Sequence, residues 1–145
     1  ISLSERGFVN VDEIREMSDS GLVEIGAHTM IHPILASETN ERSKYEIIKS
    51  VENLSSLIDK PIGTFAYPNG LWIDDFGSRE MDYVKEAGIK LAYSVQPGVI
   101  DCNKSPFSIP RVGTENRLKL GRLGLILPSL HNQSKVRAQI RKYII

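Results

Sequence analysis

Three histidines occur in the chain, and two of them, His28 and His32, stand four positions apart in the stretch HTMIHP. Imidazole nitrogens that converge can hold one transition-metal ion at about 2.0–2.1 Å. Neutral imidazole suits Zn, Co, Ni or Fe better than Mg or Ca. Four apart on a helix would share a face, but Pro33 disfavours helical backbone at His32. The pair is therefore expected on a loop. Alone, a His-x-x-x-His spacing is a weak signal, met more often as two ordinary loop histidines. Thr29 either orients that loop through its hydroxyl or is a chance neighbour. Cys102 is the single cysteine, so neither an internal disulfide nor a Cys-x-x-Cys zinc pair is available.

The elements that must position these residues follow from periodicity and punctuation. Asn10 can cap a short helix, with Glu13 completing a capping box, Ile14 and Met17 on its apolar side and Gly21 as its stop. LVEIGA, from Leu22, reads as a buried strand that ends at His28. A long helix is expected from about Asn40, with Ile47, Val51, Leu54 and Ile58 at helical spacing and Pro61 closing it. Ile62 to Tyr67 reads as the next strand and enters the turn PNG. A helix over about Ser78 to Ala87, stopped by Gly88, precedes the strand IKLAYSV. FSIPRV is expected as an edge-like fourth strand because Pro110 lacks an N–H. Alternating strands and helices predict a parallel α/β fold, in which ligands sit beyond the carboxyl ends of the strands. HTMIHP and YPNG both follow expected strands, so they belong on one face. Asp74 and Asp75 are expected to cap the Ser78 helix.

With 145 residues, 41% hydrophobic and 25% charged, the chain suits one domain with a real core. Zero net charge conceals an asymmetry: from Lys104 onward Glu115 is the only acid among nine basic residues. That segment is either a solvated tail balancing an acidic body or a basic, partly apolar surface for a membrane or anionic polymer. RLKLGRLGLIL is too short and too charged to span a bilayer. A last helix is expected after Ser134, carrying Val136, Ile140 and Tyr143 on one face. The division is thus a domain over 1–115 and a basic helical tail over 116–145. No signal peptide is visible, and the first residue, Ile1, suggests a cut amino terminus. A nucleic-acid partner is not expected.

GLVEIGAHTMIHPIL resembles the second motif of the polysaccharide deacetylases, the NodB-homology group also called carbohydrate esterase family 4. The likeness continues in order: a long helix and Lys-Pro, then TFAYPNG like the family's third motif, then VKEAGIKLAYSV, and finally IPRVGT. It runs from about Val11 to Thr114. Several ordered motifs are far more specific than one. The resemblance implies a partial, distorted (β/α) barrel and a metal-dependent hydrolase that removes N-acetyl groups from a polysaccharide or glycan precursor.

Carried over residue by residue, His28 and His32 match the family's two histidine ligands of a zinc-like ion, and the backbone N–H of Asn69 matches its oxyanion donor. Tyr67, Pro68, Gly70 and Trp72 match the third motif and its surroundings as substrate-groove residues. Tyr67 can equally be core, and Trp72 is the better sugar-stacking wall. Arg111 either reaches the groove or forms a surface salt bridge. The family's third ligand and its general base come from a T-F-D-D-G motif, which this chain does not contain upstream of His28. Ala66 stands where many members carry an arginine, as in the subgroup acting on poly-N-acetylglucosamine. Asn69 replaces the usual tyrosine. His131 is the one candidate acid, but LPSLH does not match the family's pattern, and an exposed loop histidine explains it.

Base and acid are therefore expected from sequence before Ile1, and this chain alone is expected to bind metal weakly and to turn over little. The rival reading is a non-catalytic deacetylase-like module that binds a glycan or a protein. An extracytoplasmic or membrane-peripheral location is the family's habit and is not written in these residues.

Overall fold

The computed structural model describes residues 9–98, 100–101 and 105–111. The expected tail over 116–145, its helix after Ser134 and His131 lie outside the described residues.

Helix α1 spans Val11–Asp19 and opens on the anticipated box: the Glu13 N–H donates to Asn10 Oδ1 and the Asn10 N–H to Glu13 Oε2, both over 2.9 Å. Gly21 follows with φ +70°, a conformation glycine adopts without a Cβ clash. None of α1 is fully buried, although Ile14 leans on the core.

Helix α2 spans Asn40–Ile58, begins where Thr39 accepts the Arg42 N–H, and ends at Asp59 in the left-handed region. Its apolar face buries Ile47, Val51 and Ile58, with Leu54 partly covered. A neighbouring stripe of Ser43, Glu46 and Ser50 is buried as well. α2 packs against α1 on one side and against α3 (Ser78–Glu86) on the other.

Strands β1 (Thr64–Ala66) and β2 (Leu91–Tyr93) pair in parallel, Phe65 opposite Ala92. Single parallel bridges widen this sheet on both sides, Ala27 to Phe65 and Tyr93 to Ile109. The spatial order is thus Ala27, β1, β2, Ile109: four parallel positions, with α2 between the first two and α3 between β1 and β2 in sequence. This is the anticipated α/β order, seen among the described residues as an open arc. Leu35, Ile47, Phe65, Tyr67, Phe76, Val84 and Ala92 form the core between the sheet and the helices.

The expected buried strand LVEIGA is a correction. Only Ala27 pairs, donating to Thr64 O and accepting from the Ala66 N–H. Leu22 is 90% exposed and Val23 lies open too. Branched residues suggested a strand covered on both faces, but only its end is covered: Ala27 is buried and Ile25 leans on the core, while Leu22 and Val23 lie open among the described residues. FSIPRV behaves as the edge piece its proline implied, with Ile109 donating to Ala92 O before Pro110 ends the pairing.

The capping role expected of Asp74 and Asp75 is a second correction. Gly77 is the N-cap of α3, and its N–H donates to Glu80 Oε2 over 2.8 Å. Asp75 is buried and accepts the Leu71 N–H over 2.7 Å, while its own carbonyl accepts the Ala36 N–H. Its carboxylate closes the 71–76 loop, whose backbone already returns there, the Asp75 and Phe76 N–H groups both donating to Leu71 O before the helix starts.

Candidate active site

His28 follows Ala27, the YPNG turn follows β1, Val95 lies just past β2, and Arg111 comes after Ile109. In a parallel array these are all carboxyl ends, so the two motifs and Arg111 share one edge, as anticipated.

His28 is exposed, and its Nδ1 lies 2.7 Å from Ala66 O. A carbonyl only accepts, so Nδ1 carries a hydrogen in this contact, and Nε2 is the ring nitrogen open to another partner. Metal-binding histidines are characteristically oriented by such a bond. Ala66 thus acts on His28 through its backbone carbonyl. The His32 ring is 4.8 Å from that of His28, centre to centre, at 75°. Two imidazoles sharing a tetrahedral ion at about 2.0–2.1 Å place their centres about 5 Å apart, a separation close to the 4.8 Å here.

The loop between them is not helical, as Pro33 implied. Thr29 and His32 both take positive φ, 64° and 58°. That region costs a residue with a Cβ about 1–2 kcal/mol. The His32 N–H donates to Thr29 Oγ1 over 3.1 Å, so the threonine does orient the loop. Among the described residues no third His, Cys, Asp or Glu joins the pair.

In the YPNG turn, Asn69 is exposed with φ 55°, and its N–H has no acceptor among the described residues. An N–H without a protein acceptor is what an oxyanion donor needs. Gly70 has φ +85°, and a Cβ there would meet Tyr67 O and Val95 N, each at 3.1 Å. Its carbonyl accepts the Val95 N–H, tying the turn to the end of β2. Pro68 is buried beneath the turn.

Tyr67 is fully buried. It stacks on Phe76 at 3.7 Å and donates its hydroxyl to Phe107 O over 2.9 Å. Its ring cannot stack on a sugar, so of the two roles open to it the structure gives it the core. Burial first, and the Glu80 carboxylate second, push its phenol well above the usual range. Trp72 meets Phe76 edge to face at 5.4 Å and keeps part of its surface open. Arg111 donates from Nε to Ser94 O over 2.8 Å and has no carboxylate partner among the described residues, so neither a salt bridge nor a free groove arm describes it fully. A groove of about 340 Å³ lined by Leu22, Glu24, Lys60 and Gly63 lies at the opposite, amino ends of the strands.

Two groups beside the site escaped sequence reasoning. Ala66 O had no signal, because which carbonyl faces His28 depends on pairing register. Glu46 had one: an acid adjoining the Ile47 stripe of α2, which burial turns into a contact with the histidine loop.

A profile of the polysaccharide deacetylase family matches residues 5–92. The poly-beta-1,6-N-acetyl-D-glucosamine N-deacetylase of Staphylococcus aureus is 30% identical over 76% of this chain and 41% of its own length. The chain therefore spans about two-fifths of the curated relatives it matches. Among solved structures, the Streptococcus pyogenes deacetylase PplD in complex with acetate aligns with a TM-score of 0.73 at 17% identity, over 85% of this chain and 52% of that one. A polysaccharide deacetylase from Bacillus cereus aligns with a TM-score of 0.70 at 24% identity, over 83% of this chain and 37% of that one. At such identities these two likenesses speak for the fold.

Proposed function

Because this chain belongs to the polysaccharide deacetylase family, we propose that it supplies the two-histidine part of a divalent-metal site for removing N-acetyl groups from a poly-N-acetylglucosamine-type polymer. One observation carries the reading: the Ala66 carbonyl takes up His28 Nδ1, and the His32 ring stands 4.8 Å from that of His28, centre to centre. Two neutral imidazoles favour Zn, with Co, Ni or Fe as alternatives. A bound ion of this kind lowers the pKa of water and polarises the acetyl carbonyl.

The chain's own contributions are positional. His28 and His32 hold the ion, and the Asn69 N–H meets the charge that develops on the acetyl oxygen. Trp72 offers an apolar face to a sugar ring, and Arg111 braces the end of β2 beside the turn. The preference for an N-acetylglucosamine polymer rests on the Staphylococcus relatives and on Ala66, the residue of that subgroup. The open arc of four parallel positions is read as part of a distorted (β/α) barrel.

The test is acetate release from β-1,6-linked N-acetylglucosamine oligomers by the polypeptide that carries these residues, parent against H28A and H32A. Release that either substitution abolishes is the expected result. Oligomer binding with no release from the parent would favour the non-catalytic module instead.

A further inference from the structure

We infer that Glu46 is the positioning residue of the histidine loop, setting His28 and His32 for the ion from below; this rests on the metal reading of that pair. Glu46 sits on α2, eighteen positions past His28, and its side chain is fully buried. Its Oε2 accepts two consecutive loop amides, the Met30 N–H over 2.9 Å and the Ile31 N–H over 3.1 Å. These two amides lie between the histidines and between the two positive-φ residues, Thr29 and His32. The carboxylate therefore grips the loop at its centre, where the backbone must reverse to bring the second ring back to the first.

The remaining oxygen shows the same economy. Oε1 is enclosed and lies 2.6 Å from Arg42 Nη2, one helical turn earlier, without the alignment of a directed hydrogen bond. Both aligned hydrogen bonds of this buried group thus go to the histidine loop. An apolar side chain would fill the same space against the core at lower desolvation cost. A buried acid at this position is explained by what it holds. Ala66 O orients one ring from the sheet side; Glu46 fixes the spacing of the two rings from the helix side.

The test compares Glu46→Met, which keeps the volume and removes the acceptor, with Glu46→Gln, whose amide oxygen can still accept both N–H groups. Two readouts are taken on the whole chain after unchanged β1 and β2 amide shifts show that the fold is retained. In metal-free protein, E46M is expected to lose the exchange protection of the Met30 and Ile31 amides and the His28–His32 ring proximity effects, while E46Q keeps them. In a Co²⁺ titration, E46M is expected to bind at least about tenfold more weakly, in the range known for groups that orient metal ligands, and E46Q to stay within a few-fold of the parent. A folded E46M with protected amides, ring proximity and parental Co²⁺ affinity overturns the inference, as does an E46Q as impaired as E46M. Parental Co²⁺ affinity in H28A would overturn the metal reading instead, and the metal-free amides would still decide whether Glu46 positions the loop.

Discussion

At the scale of single residues, His28 and Tyr67 show how burial sorts side chains that look equally functional in sequence. His28 stays exposed and is aimed by one carbonyl, whereas Tyr67, in the third motif itself, is enclosed by Phe65, Phe76 and the Phe107 carbonyl. The phenol of Tyr67 titrates above its unfolded value near 10 because burial disfavours the phenolate. A group whose folded pKa is raised contributes stability that is complete below the unfolded pKa and is lost as pH climbs toward the folded one. Stability is therefore expected to be insensitive to this residue below about pH 10 and to fall above it by up to about 1.4 kcal/mol per pH unit. Tyr67→Phe should remove that alkaline slope while costing about 1–2 kcal/mol at neutral pH, because Phe107 O loses its donor. Urea unfolding of both proteins between pH 7 and 11 measures this, and an identical alkaline slope in Y67F would contradict the assignment.

Between elements, the site depends on two loops of unusual backbone held by short regular pieces. The turn after β1 needs Asn69 and Gly70 in the left-handed region, and Gly70 lies against the backbone of both Tyr67 and Val95. Asn69→Gly is expected to fold normally and keep the exposed N–H. Gly70→Ala is expected to destabilise by at least about 1–2 kcal/mol, since it adds the left-handed penalty to two tight backbone contacts. Thermal unfolding of the two variants tests the contrast, and equal stability would show that the turn is not constrained as described. Much at this scale was legible in the sequence. The Asn10 box, the α2 face and Gly88 as a helix stop all rest on local rules, and the structure follows them. LVEIGA and Asp75 were misread because their fates depend on neighbours distant in sequence. Leu22 and Val23 find no cover on their outer side among the described residues, and Asp75 finds the Leu71 amide before it can reach α3.

Across the whole molecule, the parallel order of Ala27, β1, β2 and Ile109 brings four separate loops to one edge, and this is what makes a pair of histidines into a candidate centre. Sequence order predicted that convergence because alternating strands and helices leave few topologies. It could not predict the grip of Glu46 or the Ala66 acceptor, which arise when register and helix rotation are fixed together. The decisive property of this edge is whether His28 and His32 hold a single ion. Calorimetric titration of Zn²⁺ into the metal-free chain measures it most directly, with H28A and H32A alongside. One ion per chain is predicted, with each substitution weakening binding by at least about tenfold, the scale that even groups outside the ligand set reach. Zn²⁺ binding that is undiminished in both H28A and H32A would contradict it.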